Sequence, residues 1–270
     1  MSSAHPRVLI FDSGLGGLTI AGEIGRRLPQ VERVYFGDNA CFPYGTRDEA
    51  VVEQRVVHML QTLVNRFEPD LIVLACNTAS TVALPAARAA INTPIVGVVP
   101  AIKPAAERSH SRVIGLLATP GTVMRDYTAN LIDTFAGHCE VIAVGTNKLV
   151  EMAENKLLTG HTDRGELLEI LHPLLTHPRY EAIDTVVLAC THFPLLQTEL
   201  AAAFGRPVNW VDSGAAIANR VAALLEEAGL LSGRATATVH RAVLSARPGQ
   251  SARLQQELAR RGFPRLEFDA

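Results

Sequence analysis

The chain has 270 residues, enough for two α/β domains. Its 25 Lys plus Arg against 27 Asp plus Glu leave a formal net charge of −2, which excludes a nucleic-acid binder working through bulk positive charge. A composition that is 48% hydrophobic and 19% charged excludes disorder, and no apolar run approaches the roughly 18 residues of a membrane span.

The apolar mass is mostly Ala, Val, Leu and Ile, with only 5% aromatics. That mixture suits buried parallel strands covered by Ala-rich helices. Residues 1–7 carry no apolar signal core, so the cytoplasm is the expected address. Thiols stay reduced there, and Cys41, Cys76, Cys139 and Cys190 are not read as disulfide staples. No C-x-x-C pair occurs, so no metal site is expected.

The pattern predicts strand 8–11, helix 18–28, strand 33–36, helix 48–67, strand 71–75, helix 80–90 and strand 95–99. It continues with strand 113–117, helix 121–135, strand 140–144, helices 149–158 and 166–175, strands 186–189 and 208–211, and helix 215–228. Gly14, Gly16 and Gly17 punctuate the first turn, and Pro69, Pro94 and Pro207 each stand before a strand. Strands alternating with helices imply βαβ units and mostly parallel sheets.

One internal repeat says more. Asp70-Leu-Ile-Val-Leu-Ala-Cys-Asn-Thr78 and Asp184-Thr-Val-Val-Leu-Ala-Cys-Thr-His192 lie 114 residues apart and share the opening Asp and the run Val-Leu-Ala-Cys. The runs that open the two halves, Val8-Leu-Ile-Phe-Asp-Ser-Gly and Val113-Ile-Gly-Leu-Leu-Ala-Thr-Pro-Gly, are alike in kind. The expectation is an α/β fold of two similar domains, each a mostly parallel sheet flanked by helices. They would be related by a pseudo-twofold with the site between them, the second opening near Pro100. Strand preference alone explains the apolar letters. It does not explain a cysteine at the same step off each strand, where open α/β sheets bind ligands.

Two such thiols suit redox coupling or proton transfer. Redox pairs usually sit close together as C-x-x-C, so proton transfer at a carbon is the better fit. One group would remove a proton and the other return one to the far face, which is a racemisation. A free thiol with a pKa of about 8.5 is mostly protonated at neutral pH, so each cysteine needs a polar partner. His192 follows Cys190 by two residues, and Asp12 lies on the turn after the first strand. Taken singly, a buried cysteine is most often a small hydrophobe, and a lone Cys-x-His is more often a capping histidine.

The loop Asp12-Ser-Gly-Leu-Gly-Gly17 is not the dinucleotide fingerprint, because position 19 is Thr. It still sets backbone N–H groups and the Ser13 hydroxyl at a helix start, a cradle for carboxylate or phosphate, or else a tight capped turn. Asn77-Thr78, Thr191-His192 and Thr119-Pro-Gly-Thr122 add neutral hydrogen-bonding groups. An anionic ligand would be held by amides and hydroxyls.

These segments resemble the glutamate racemases of the aspartate/glutamate racemase family. The matches are Phe11-Asp-Ser-Gly-Leu-Gly-Gly-Leu18, Gly37-Asp-Asn-Ala-Cys-Phe-Pro-Tyr-Gly45, Ala75-Cys-Asn-Thr-Ala79, Gly97-Val-Val-Pro100, Ala189-Cys-Thr-His-Phe-Pro-Leu195 and Val211-Asp-Ser-Gly214. They run through nearly the whole chain in the family's order.

The resemblance implies catalytic Cys76 and Cys190 on opposite sides of the substrate Cα, with Asp12 and His192 as acid/base partners. A further family glutamate falls on Glu154, with nearby Glu151 as the alternative. Substrate contacts fall on Asp12, Ser13, Tyr44, Gly45, Asn77, Thr78, Thr119, Thr191 and His192. It also implies a first domain of residues 1–99 plus 208–270 and a second of 100–207. No cofactor is implied, and none of Lys103, Lys148 and Lys156 sits in a matching motif. The substrate would be glutamate, the product D-glutamate would serve peptidoglycan and hence cell shape, and the assembly would be a homodimer without nucleic-acid or membrane partners. Activation by a peptidoglycan precursor is tied in some relatives to a long extension before the Asp12 loop, which this sequence lacks, and that regulation is left open here. Three other readings stay open: an aspartate racemase, a non-catalytic amino-acid binder, and a zinc site from Cys76, Cys190 and His192.

Overall fold

The computed structural model describes residues 5–231, 239–249 and 251–269. The first leg of the chain forms β1 (Arg7–Asp12), α1 (Leu18–Arg27), β2 (Glu32–Gly37), α2 (Glu49–Phe67), β3 (Leu71–Leu74), α3 (Asn77–Ala90) and β4 (Ile95–Gly97). The middle leg forms α4 (Ile102–Arg108), β5 (Val113–Ala118), α5 (Pro120–Met124), α6 (Asp126–Ala136), β6 (Glu140–Gly145), α7 (Lys148–Thr159), α8 (Arg164–Leu175), β7 (Thr185–Leu188), α9 (Gln197–Phe204) and β8 (Asn209–Val211). The last leg forms α10 (Gly214–Glu227), β9 (Arg241–Leu244), α11 (Ser251–Arg260) and β10 (Arg265–Phe268).

Two compact units result: one of Met1–Val98 with Gly214–Ala270, the other of Val99–Ser213. The first holds a six-stranded sheet, order β10-β9-β2-β1-β3-β4, and the second a four-stranded sheet, order β6-β5-β7-β8. Every strand pair in both is parallel. Parallel strands need helical crossovers, which cover both faces and bury the central strands β1, β3, β5 and β7, while the edge strands β6 and β10 stay partly exposed. In β1, Leu9 and Phe11 join a core with Leu60 and Leu63 of α2 and Ala79 and Ala83 of α3. Their neighbours Val8 and Ile10 point the other way and are equally buried. In the second unit, Ile114, Leu116 and Ala118 of β5 pack with Ile102 and Ala105 of α4 and Ala136 of α6.

The order β2-β1-β3-β4 repeats as β6-β5-β7-β8. In each, the chain runs outward on one side of the first strand and then crosses to the other. The reversal leaves a crevice at the carboxyl ends of β1 and β3, and likewise of β5 and β7, where such sheets take ligands.

The structure departs from the sequence reading in three places. The segment 208–211 stays in the second unit, because β8 pairs with β7 with Trp210 opposite Val186 and Val211 opposite Val187. Trp210 also meets the edge of Phe204 at 5.8 Å. The return therefore comes at Gly214, not at 208, and the Ser213 hydroxyl bonds the Val99 carbonyl, closing the second unit on its own two ends. The helix expected over 121–135 breaks at Arg125, whose backbone is extended, since α5 packs on β6 while α6 packs on α4. Strands β9 and β10 and helices α4, α9 and α11 are additional to the predicted elements. Residues 1–4, 232–238, 250 and 270, which the reading placed in the first domain, lie outside the described residues.

Candidate active site

The repeat has a literal structural meaning. In the first unit Phe11 pairs with Leu74, and the Ala75 amide donates to the Phe11 carbonyl at 2.7 Å. In the second, Leu117 pairs with Leu188, and the Ala189 amide donates to the Leu117 carbonyl at 2.8 Å. One step on, the chain releases Cys76 in one case and Cys190 in the other. The same register makes Ser13 the counterpart of Thr119. Both cysteines are buried, at 7% and 8% exposure, and both are free thiols.

In the first unit Cys76 caps the start of α3, and its sulfur lies 3.5 Å from the Ser13 hydroxyl. The helix begins at Asn77, three residues before the predicted start, so the buried Asn77 and Thr78 occupy its first turn. The fully buried Asp12 carboxylate accepts from the Gly17 amide at 2.9 Å and the Gly14 amide at 3.3 Å. Tyr35 stands 3.5 Å from the same oxygen and donates to the Gly14 carbonyl at 2.7 Å. Asp12 thus folds the loop around itself. Gly17 permits this, because a Cβ there would lie 2.9 Å from that of Asp12 and 3.0 Å from that of Ala75.

Tyr44 and Gly45 sit in a short 3-10 turn, Tyr44–Thr46, with the Tyr44 side chain buried. The phenol donates to Asp38 at 2.7 Å. Burial first, and then the Asp38 carboxylate, push its pKa far up, so it stays a neutral donor. Asp38 is gripped in turn by Arg55, Nε to Oδ2 at 2.9 Å and Nη2 to Oδ1 at 2.8 Å. Burial would raise the Asp38 pKa, but hydrogen bonds from Arg55, Tyr44 and Ser245 outweigh it and hold it low.

In the second unit a polar chain runs inward from α7. The Glu154 carboxylate lies 2.8 Å from His192 Nε2, and His192 Nδ1 lies 3.8 Å from the Cys190 sulfur. The His192 side chain is 3% exposed and that of Glu154 14%. Burial alone would lower the imidazole pKa. Contacts with Cys190 and Glu154 overcome that and hold it well above the ordinary value. A ring bound by a carboxylate on one nitrogen and a thiol on the other can accept and return a proton. Of the two glutamates left open by the sequence, Glu154 faces the histidine, whereas Glu151 is exposed. Thr191 is buried beside the pair, and Thr119 Oγ1 meets Thr122 Oγ1 at 2.9 Å at the end of β5.

Asp38 and Arg55 escaped the sequence reading as site residues. Asp38 stood inside the Gly37–Gly45 motif and could have been singled out there; Arg55 lies seventeen positions further on, with no local pattern to link the two.

Comparison with known proteins gives consistent findings. The family model described as Asp/Glu/Hydantoin racemase matches residues 19–221. The glutamate racemase of Vibrio vulnificus (strain YJ016) is 45% identical over 267 residues, 99% of this chain and 98% of that protein. That of Klebsiella pneumoniae (strain 342) is 46% identical over 266 residues, covering 98% and 93%. Among solved structures, Escherichia coli glutamate racemase in complex with L-glutamate and the activator UDP-MurNAc-Ala superposes with a TM-score of 0.89 at 45% identity, covering 98% of each chain. Glutamate racemase from Francisella tularensis in complex with D-glutamate gives 0.79 at 25% identity, covering 99% and 98%.

Proposed function

The chain belongs to the Asp/Glu/Hydantoin racemase family and is an amino-acid racemase, and we propose that it interconverts L- and D-glutamate by proton transfer between Cα and two cysteines. The observation that carries this reading is the matched register of Cys76 and Cys190, each buried at the crevice end of its own sheet, Cys76 beside the Ser13 hydroxyl and Cys190 beside the His192 imidazole. Glutamate as the substrate draws support from the relatives' names and from the two structures solved with its enantiomers.

In this mechanism one cysteine, as thiolate, takes the Cα proton and becomes a thiol. The other, as thiol, delivers its proton to the opposite stereochemical face and becomes a thiolate. The product is the enantiomer, and the two sulfurs have exchanged protonation states. Turnover at a median enzyme rate of about 10 s⁻¹ permits a barrier of roughly 16 kcal/mol. A Cα–H beside a carboxylate is a very weak acid, so charge growing on that carboxylate needs fixed donors. Ser13, Asn77, Thr78, Thr119 and Thr191 supply polar groups at the strand ends, and Tyr44 and Gly45 supply a turn for the carboxylate. His192, backed by Glu154, moves the proton to and from Cys190; Asp12, whose carboxylate also orders the loop that carries Ser13, is the acid/base partner on the Cys76 side.

The same reading has the protein act in the cytoplasm as a homodimer and supply D-glutamate for peptidoglycan. The test is incubation in D₂O with each glutamate enantiomer and with L-aspartate, following Cα deuteration and circular dichroism. Deuterium should enter both glutamates during racemisation. Cys76→Ser and Cys190→Ser should each retain exchange on opposite enantiomers. Equal exchange of one enantiomer in both variants refutes the two-base assignment, and faster turnover of aspartate refutes the substrate.

A further inference from the structure

A buried carboxylate with a guanidinium clamped on it is costly to desolvate unless its partners are fixed, so such a pair is a rigid element. Asp38 is that carboxylate. It follows β2, is fully buried, and hangs from the Asp12 carbonyl through its own amide at 2.8 Å. Arg55, from the second turn of α2, binds both of its oxygens. The third partner is the Tyr44 hydroxyl, at 2.7 Å.

A phenol has one proton to give, and Tyr44 gives it to Asp38. Its oxygen then has no proton left for a substrate carboxylate. What Tyr44 contributes is position: its ring, and with it the Tyr44–Thr46 turn, is tied to β2 and α2. The Tyr44 ring also packs in the core of the first unit, and the turn is closed locally by the Arg47 amide on the Tyr44 carbonyl and the Thr46 hydroxyl on the Pro43 carbonyl, each at 3.1 Å.

We propose that Arg55 is a positioning residue for substrate binding, which acts through Asp38 and the Tyr44 hydroxyl to fix the Tyr44–Gly45 turn. This rests on the reading above that the turn touches glutamate. Arg55 itself takes no part in proton transfer, so its loss acts on KM more than on kcat.

The test is a double-mutant cycle of Arg55→Gln and Tyr44→Phe, with KM and kcat measured for both glutamate enantiomers. Each single variant should raise KM about tenfold, the scale of one charge-assisted hydrogen bond, and change kcat by a smaller factor. The double variant should be no worse than the poorer single, because both cut the same chain. Arg55→Lys, which keeps the charge but not the two-pronged grip, should fall between wild type and Arg55→Gln. Should Arg55→Gln fail to fold, the Arg55→Lys and Tyr44→Phe cycle decides by the same rule. Multiplying KM effects in the double variant, an unchanged KM, or a loss confined to kcat overturns the proposal. A wild-type protein inert toward both glutamates would instead sink the substrate assignment, which separates the two failures.

Discussion

Replacing Glu154 by Gln removes a charge while keeping the shape and a hydrogen bond to His192. The pair stands at 2.8 Å with side chains 3% and 14% exposed, so solvent screens it little. A hydrogen bond between charged partners contributes about 1.5–3 kcal/mol and a neutral one about 1 kcal/mol, so the substitution should cost about 0.5–2 kcal/mol. The pH dependence is more telling than the size. In the folded protein the His192 pKa lies well above its ordinary value, burial being overcome by Cys190 and Glu154. A raised histidine stabilises fully below the unfolded value of about 6.5, and that contribution is lost as pH rises through the higher folded value. Urea unfolding of wild type and Glu154→Gln from pH 6 upward should therefore show the largest gap near pH 6, closing as His192 gives up its proton. A gap that is constant or widens over that range would refute the charged His192–Glu154 pair.

Two further outcomes follow from the same structure. Gly17→Ala should cost about 1–3 kcal/mol in urea unfolding, since the new methyl must displace Asp12 or Ala75 by several tenths of an ångström; an unchanged midpoint would show that the loop yields freely. Asp184 accepts from the Ser109 hydroxyl and the His110 and Ser111 amides at 2.7, 2.7 and 2.8 Å. Burial would raise its pKa, but these bonds outweigh it and bring it down to about 2. Its stabilisation is thus full above the unfolded value of about 3.9 and lost as pH falls toward 2. Asp184→Asn should be the less stable protein at neutral pH and converge with wild type between about pH 4 and pH 2, as read by thermal melts; parallel curves would contradict it.

The candidate residues were legible to unequal degrees. Cys190 and His192 are two residues apart, so a local pattern reveals both, and the repeat at Cys76 marks the matching strand end. Glu154 is 38 residues from His192, and the family resemblance favoured it while leaving Glu151 open. Only the way α7 lies against the loop after β7 separates them. Arg55 is harder still: it is one charged residue among several on α2, and its worth comes entirely from Asp38 lying buried beneath it. The extra strands β9 and β10 are four residues each, with Arg at the head of both, too short to show a clear period; β10 is also the edge strand of its sheet, and its partly exposed residues relax the apolar pattern by which strands are recognised.

The amino-acid order by itself determined the alternation of strand and helix, the parallel sheets and the two equivalent cysteine positions, because hydrophobic period and strand-end residues are local properties. Tertiary structure decided which sheet β8 joins, where α5 gives way to α6, which glutamate meets His192, and what holds Tyr44. Each of those depends on partners brought together across long stretches of chain, whose pairing is set by packing and burial rather than by any spacing that can be read along the chain.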